Sequence, residues 1–493
     1  MSTDPTLLST REYFNQQAYY DHVLKEKIRD RFDQLAPKRH RWQLQARYYY
    51  ADQHRYYRFL VPEGAKVLEL GCGLGDLLAT LKPMRGVGID FSTQMIEHAR
   101  QRHAQQPGLE FIADDLEMLS LDETFDYIIL CDTIGHLVDV ETTLRQLQRY
   151  CTPQTRMIIS YYNFLWEPVV RVAESLKLKM SQGQMNWLSS DDIANLLGLA
   201  DFEVIKRENR LLVPKCIPFL SAVLNKYLAP LPVINDLCLS TYLVARSRST
   251  STKRDYSSTI VIPCRNEKGN IESAIQRLPR FGSHQEVIFV DGHSTDGTVE
   301  EIKRVMTAYP EQDIKLLVQD RKGKGDAVRK GYNAAKGDIL MILDADLTVP
   351  PEDLPKFYHA IASGKGEFIN GCRLVYPMEQ QAMRFLNLLA NQFFGATFSW
   401  LLNQPIKDTL CGTKVMFRED YIRLAANRHY FGEFDPFGDF DLLLGAYKLN
   451  LKIQEVPIRY RERIYGTTNI HRFRHGWLLL KMVIFAFHKL KAI

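Results

Sequence analysis

Two short stretches of this chain carry residues whose types and spacing suit chemistry. In "VLELGCGLGDLL", Gly71, Gly73 and Gly75 follow the apolar run Val67–Leu70 and Glu69 precedes them; Asp90 closes the next apolar run, "GVGID". Such glycines let a strand turn sharply into a helix and let the backbone approach a ligand closely. An acid about twenty residues further on is placed to accept both hydroxyls of a ribose, so the pattern suits a nucleoside in an extended pose. In "GDILMILDADLTVPPEDL", the run Ile339–Leu343 delivers Asp344 and Asp346 to the carboxyl edge of a sheet. Two acids on alternate residues in a cleft carry an electrostatic cost. A hard divalent cation, Mg2+ or Mn2+, would resolve it by binding carboxylate and diphosphate oxygens together, and would stabilise the charge on a departing nucleoside diphosphate. The chain therefore reads as carrying two different active sites.

The elements that must position these residues follow from periodicity. Residues 12–59 are rich in Arg, Gln and Tyr with few turn signals and read as one or two helices. From Lys66, short apolar runs ("KVLEL", "GVGID", "LEFIADD", "FDYIILCD", "RMIISYYN") alternate with amphipathic segments, as in a parallel α/β sheet. Residues 187–212 extend that domain with a capped helix and a strand. The polar stretch "ARSRSTSTKRDYSS" has no apolar periodicity and suits a linker. A second α/β alternation follows, with no internal repeat. The expected organisation is a helical extension (1–60), a first α/β domain (61–246), a linker (247–258), a second α/β domain with a mixed sheet (259–475) and an amphipathic C-terminal helix (476–493).

At 493 residues the chain is long enough for two such units, and 45% hydrophobic and 25% charged residues exclude disordered and fibrous classes. A net charge of +5, from 63 basic and 58 acidic residues, gives no sign of nucleic-acid binding. The eight cysteines are scattered without a CxxC pair and read as reduced thiols. The N-terminal residues lack the basic and apolar regions of a secretory signal, and no apolar run is long enough to span a bilayer. The expected location is cytoplasmic.

The segments "LELGCGLGDLL", "GIDFSTQMIEHAR", "FIADDLEML" and "FDYIILCDTIGHLVD" together resemble the class I S-adenosylmethionine-dependent methyltransferases, over roughly residues 45–246. The resemblance implies a Rossmann-like sheet with S-adenosyl-L-methionine as cofactor. Its amino-acid end would lie at Glu69, Gly71, Gly73 and Gly75, its ribose at Asp90 and its adenine at Asp114 or Asp115. Asp132 and His136 are the candidate bases for a methyl acceptor.

"TIVIPCRNEKGNI", "VDGHSTDGT", "DRKGKGDAVRKGYNAAKGDIL" and "DADLTVPPEDL" resemble, in order and spacing, the family-two glycosyltransferases of GT-A fold, over about residues 257–470. That resemblance places Pro263, Asn266 and Glu267 along the nucleotide and Asp291 at the base, with Gly292 where the family has a second acid. It sets Lys324 and Asp326 near the nucleotide, and Asp344 and Asp346 on the metal. "DTLCGTK" and "EVPIRYRERIYGTTNI" sit where polyprenyl-phosphate glycosyltransferases of the dolichol-phosphate mannose synthase type have their acceptor motifs. The resemblance thereby assigns Lys414, Arg461, Arg463, Gly466 and Thr467 to an acceptor phosphate, with Thr468 and Asn469 departing from that pattern. A guanidinium fork suits phosphate oxygens. Asp439 and Asp441 are the candidate bases if the acceptor is instead a sugar hydroxyl, because an ionised lipid phosphate needs none.

The expected function is a bifunctional methyltransferase and metal-dependent inverting glycosyltransferase, moving sugar from a UDP- or GDP-sugar to a polyprenyl phosphate or related glycan. The alternative is transfer to a sugar hydroxyl, with the first domain a cofactor-binding or scaffolding module. The apolar stripe of 383–402 and the apolar, basic-ended tail suggest contact with a membrane surface.

Overall fold

Strands covered on both faces are largely apolar, and the runs read above are so: Val67, Leu68 and Leu70 in one, interrupted by the buried Glu69, and Ile339–Ile342 in another, are fully inaccessible. The computed structural model describes residues 10–493 except 182, 184, 249–254, 376–384, 431–439, 462, 464 and 466–471. Its contacts divide into two units, residues 1–249 with Ile493, and residues 250–492.

In the first unit β1 (Lys66–Leu70), β2 (Arg85–Asp90), β3 (Leu109–Ala113), β4 (Phe125–Cys131), β5 (Cys151–Tyr162), β6 (Phe202–Arg210) and β7 (Ser240–Ser247) form one sheet in the order 3-2-1-4-5-7-6. β7 runs antiparallel to both its neighbours, and the other pairings are parallel. The order reverses between β1 and β4, which opens a crevice at their carboxyl ends. The second unit orders β8 (Ser258–Cys264), β9 (Gln285–Asp291), β10 (Asp313–Val318), β11 (Ile339–Ile342), β12 (Phe368–Cys372), β13 (Lys414–Phe417) and β14 (Ile453–Pro457) as 10-9-8-11-13-12-14. β13 is antiparallel to β11 and β12, so this sheet is mixed.

The N-terminal helical reading resolves into α1 (Thr10–Gln45) and α2 (Arg47–Leu60). The aromatic residues of α2 face the sheet: Tyr49, Tyr56, Tyr57 and Phe59 are buried. Burying a tyrosine requires a partner for its hydroxyl. Tyr57 Oη donates to Ser160 Oγ (3.0 Å) on β5, and Tyr56 Oη donates to Glu208 Oε2 (2.7 Å) on β6. Asp52 of α2 is buried against Arg210 of β6 (3.2 Å), with Arg55 one turn along. Burial alone would raise the Asp52 carboxyl, but the charges and hydrogen bonds of Arg210 and Arg55 outweigh it and hold the carboxyl below its usual 3.8.

Removing one partner of a buried pair strands the other charge. Asp52→Ala is therefore expected to destabilise the fold by on the order of 3 kcal/mol in denaturant unfolding. Because the folded-state carboxyl is depressed, its contribution is full above the unfolded value and is lost as pH falls through the folded one. The difference between wild type and variant should therefore shrink only below about pH 4.

Candidate functional site

In the first unit the ends of β1, β2 and β4 surround one cavity, lined among others by Glu69, Gly71, Gly73, Asp90, Asp115 and Asp132. Gly71 has φ +71°, and a Cβ there would overlap the Thr133 side chain, so the turn requires glycine twice over. Asp90 is locked across this turn, its Oδ2 accepting from Gly73 N (2.8 Å) and its Oδ1 from Ser92 N (2.9 Å). Desolvation pushes its carboxyl up, and those two N–H groups pull in the opposite direction. Glu69 is buried, accepts from Leu78 N (3.1 Å) in the helix Asp76–Leu81, and is raised well above its ordinary value by burial. Of the two aspartates after β3, Asp115 faces the cavity. Asp114 is exposed outside the lining and accepts from Asp115 N (2.8 Å).

α1 and α2 complete the cavity, a role that periodicity alone does not give them. Lys25 of α1 pairs with Asp115 and Glu117, both at 2.8 Å, and Phe32 meets the His136 ring edge-on at 5.1 Å. Arg39, Tyr50 and Gln53 line the same space, and the Arg39 Nε is shut off from solvent without a hydrogen-bond partner among the described residues. Asp132 follows β4 in a left-handed conformation, φ +56°. Its Oδ2 accepts from Tyr49 Oη (2.7 Å) and Gln53 Nε2 (3.0 Å), while Oδ1 is enclosed and without a partner among the described residues. Burial raises this carboxyl too. The signal for these contacts lay in "RYYYADQHRYYRF", where Tyr49, Gln53 and Tyr56 recur at helical spacing.

In the second unit the acids of the Asp-Ala-Asp motif follow β11. Asp344 Oδ1 pairs with Lys324 Nζ at 2.7 Å, and Asp346 Oδ2 accepts from Arg463 at 2.6 Å. These acids do not stand uncompensated, as their spacing suggested: each already carries a cation supplied by the chain. Lys324 opens the helix Lys324–Ala334, and Gly412 lies so close that a Cβ would overlap both Asp344 and Lys324. Asp346 Oδ1 also accepts from Thr348 Oγ1 (2.8 Å), and Thr348 O accepts from Arg461 N (3.0 Å), which lays the segment carrying Arg461 and Arg463 alongside the motif. Arg463 reaches Glu267 as well, at 3.7 Å.

Asp291 ends β9 fully buried. Its Oδ2 accepts from Ser294 N (3.1 Å), and Oδ1 has no hydrogen-bond partner among the described residues. Asn266, at φ +57°, braces the same loop by accepting from Thr295 N and donating its own N–H to Ser294 Oγ, both at 2.9 Å. Pro263 pairs in register with Val290, beside Asp291. Asp326 serves the loop instead of the cleft, because its carboxylate accepts from Asp320 N and Arg321 N and folds the chain ahead of Lys324.

The "DTLCGTK" segment is buried structure. Asp408 is clamped by Arg373 through its backbone N–H and guanidinium at 2.7–3.0 Å. Lys414 is buried, its Nζ donating to Cys411 O (2.6 Å) and Asn370 Oδ1 (3.2 Å), so it does not face a phosphate site. Asp441 sits between Arg428 (3.4 Å) and Arg329 (3.6 Å), in a small cavity with Asn427 and Lys448. Gly466 and Thr467 lie outside the described residues, as does Asp439.

Residues 259–424 match the glycosyl transferase family 2 and residues 21–207 match a methyltransferase domain family. The chain is 29% identical over 240 residues to a dolichol-phosphate mannosyltransferase of Pyrococcus furiosus, covering 45% of this chain and 63% of that protein. It is 25% identical over 214 residues to an undecaprenyl-phosphate 4-deoxy-4-formamido-L-arabinose transferase of Edwardsiella ictaluri, covering 42% and 61%. The chain thus spans less than two thirds of the length of these curated relatives. A solved S-adenosylmethionine-dependent methyltransferase of Thermotoga maritima, described as a possible histamine N-methyltransferase, aligns at 22% identity and TM-score 0.35, covering 44% of this chain and 98% of its own. The chain joins an N-terminal methyltransferase-like Rossmann domain to a C-terminal GT-A-like domain that matches the glycosyl transferase family 2, and polyprenyl-phosphate sugar transferases are among the proteins it is similar to.

The inward-facing Lys414 yields a test. Lys414→Met is expected to cost about 1–3 kcal/mol of stability by leaving Cys411 O and Asn370 without a donor. Denaturant unfolding of the variant beside wild type measures that loss.

Proposed function

We propose that the second unit transfers a sugar, with inversion, from a UDP- or GDP-sugar to a polyprenyl phosphate, and that the first unit transfers a methyl group from S-adenosyl-L-methionine. The observation that carries the first reading is the pairing of Lys324 with Asp344 and of Arg463 with Asp346 beyond the end of β11, with Asp291 closing β9 two places away in the same sheet. The unpartnered Asp291 Oδ1 suits the imino N–H of a uracil or guanine. Lys324 and Arg463 offer the cations that diphosphate and acceptor phosphate need. An ionised phosphate oxygen attacks the anomeric carbon as the bond to the nucleoside diphosphate breaks, and no base has to remove a proton. Asp441, held between two arginines in a separate cavity, is poorly placed to serve as that base.

Asp344 and Asp346 form a hard, oxygen-only donor set, and among the described residues no third acid, histidine or cysteine joins them in a cluster able to hold a metal. Two carboxylates fit Mg2+ or Mn2+ arriving with a diphosphate, and the ion would supply charge neutralisation to the leaving group. Phe393, Trp477, Leu480 and Ile484 stand exposed on the helices Phe385–Leu402 and Arg472–Leu490, which supports peripheral contact with a membrane. No helix among the described residues is long and apolar enough to cross one.

The first unit's cavity suits a cofactor carrying a sulfonium, an ammonium and a carboxylate together. Glu69, Asp90 and Asp132 offer carboxyl oxygens as acceptors, and the Arg39 Nε offers a donor with no partner among the described residues. Asp90 would take the ribose and the Asp115 loop the adenine, with Asp132 Oδ1 or His136 left to receive a proton from the methyl acceptor.

A donor screen with a polyprenyl phosphate, followed by mass analysis of the lipid, tests the glycosyl reading. Asp344→Ala is expected to lower kcat by at least about 100-fold, and Asp291→Ala to weaken donor nucleotide binding by about 10–100-fold. Wild-type rates in both variants would refute the site. For the first unit, Asp90→Ala should abolish calorimetric binding of S-adenosyl-L-methionine. Because burial raises the Asp90 and Asp132 carboxyls, wild-type affinity should decline on acidification at a pH above the ordinary aspartate value of 3.8. Affinity that stays flat down to that value would count against their role.

A further inference from the structure

The first unit carries an insert between β6 and β7, residues 211–239, whose polarity is inverted. Its uncharged polar side chains are turned inward. Ser221 Oγ donates to Lys215 O (2.6 Å) and accepts from Ile217 N (2.8 Å). Asn225 Nδ2 donates to Val213 O (2.8 Å), and Asn235 Nδ2 donates to Asn209 O (2.7 Å) and Ala229 O (3.0 Å). The apolar side chains point outward: Ile217, Phe219, Leu220, Val223, Tyr227, Leu231, Val233 and Leu237 are all exposed. The most exposed, Phe219 at 85% and Val233 at 78%, also have left-handed backbones, at φ +64° and +70°. Bulky and β-branched residues pay for that conformation, so strain is held at the two points where the greatest apolar surface meets water.

The segment after β5 extends the face. Asn163 donates to Asp236 O (2.8 Å) and Cys238 O (2.9 Å), and Trp166 Nε1 donates to Leu237 O (2.8 Å), stitching Phe164, Leu165, Val169 and Val172 beside the insert. A contiguous apolar area of this kind marks an interaction surface. Its charge identifies the occupant. Residues 211–235 contain Lys215 and Lys226, both exposed, and no acid; Asp236 is the acid at the edge. In the neighbouring helix Glu167 and Glu174 are consumed by Arg171 and Lys179, which leaves Lys177 as a third exposed cation. Apolar side chains ringed by lysines suit the headgroup region of an anionic bilayer.

We propose that this insert docks the methyltransferase-like unit onto an anionic lipid surface, with Phe219 and Val233 entering the acyl boundary and Lys177, Lys215 and Lys226 meeting the headgroups. Asn225 also donates to Tyr48 Oη (3.1 Å), tying the insert to α2, the helix that braces Asp132. The docking depends on neither transfer reaction and uses residues of the first unit alone.

Cys216 supplies the probe, since it is the one exposed cysteine of the eight and lies three residues from Phe219. The full chain, labelled there with bimane, is mixed with vesicles of phosphatidylglycerol and phosphatidylcholine. The expected result is a blue shift with protection from aqueous iodide, weaker with phosphatidylcholine alone. Phe219→Asp with Val233→Asp should raise the lipid concentration needed for half the shift by at least about tenfold. Asp tolerates the left-handed backbone better than Phe, and circular dichroism checks the fold. If the pair does not fold, Lys215→Glu with Lys226→Glu must show the same loss. A label that stays aqueous while the chain sediments with the vesicles would overturn the proposal, because the second unit would then be binding alone. So would a blue shift without vesicles that grows with protein concentration, which would assign the face to a second copy of the chain.

Discussion

A carboxylate carried to the end of a buried parallel strand is tolerable only if something answers its charge, and much of this molecule is arranged around that requirement. Asp115 is answered by Lys25, Asp344 by Lys324 and Asp346 by Arg463, partners that are distant in sequence. Each pairing therefore has a structural consequence as well as an electrostatic one. It pins a terminal helix, a helix start or a C-terminal loop to a strand end whose position the hydrophobic core has already set. Glu69 and Asp90, which have no such partner, are held by backbone N–H groups, Glu69 by Leu78 of the helix that follows it and Asp90 by Gly73 of the glycine turn and by Ser92.

Behind the Asp344 site a second set of buried polar groups supplies rigidity. Arg373 and Asp408 close on one another, Lys414 ties Asn370 to the Cys411 carbonyl, and Gly412 is thereby set against the Lys324–Asp344 pair with no room for a side chain. A satisfied polar network of this kind has few alternative arrangements, because breaking any one bond leaves a group unpaired in a low-dielectric interior.

The sheets were legible in the sequence because buried parallel strands must be continuously apolar and glycine turns have few alternatives: the runs at Val67, Val87, Ile128, Ile260 and Ile339 all became strands. Asp90, Asp291, Asp344 and Asp346 were legible because they end such runs. What escaped was whatever depended on the third dimension. Lys414 reads as a basic residue in a motif, but its direction is set by β12 alongside it. Gln53 shares a helical spacing with Tyr49 and Tyr56, but Lys25 and Arg39 lie on a helix whose apolar periodicity is so diluted that nothing local marks the face that covers a cavity. The insert after β6 was opaque for a related reason: hydrophobic residues in a sequence imply burial, and here they stand outside.

The pairing of Asp344 with Lys324 and of Asp346 with Arg463 changes what occupancy of that cleft means. A site that is already internally neutral does not fill a vacancy when an ion or phosphate enters; it swaps partners. The free energy measured for any such ligand is then a difference between two sets of contacts, small even when each contact is strong. A metal and an anion entering that cleft would therefore be coupled through these residues. A cation that took the aspartates would set two positive side chains free for an anion. Each ligand would prepare the place of the other, and neither would gain much by coming alone.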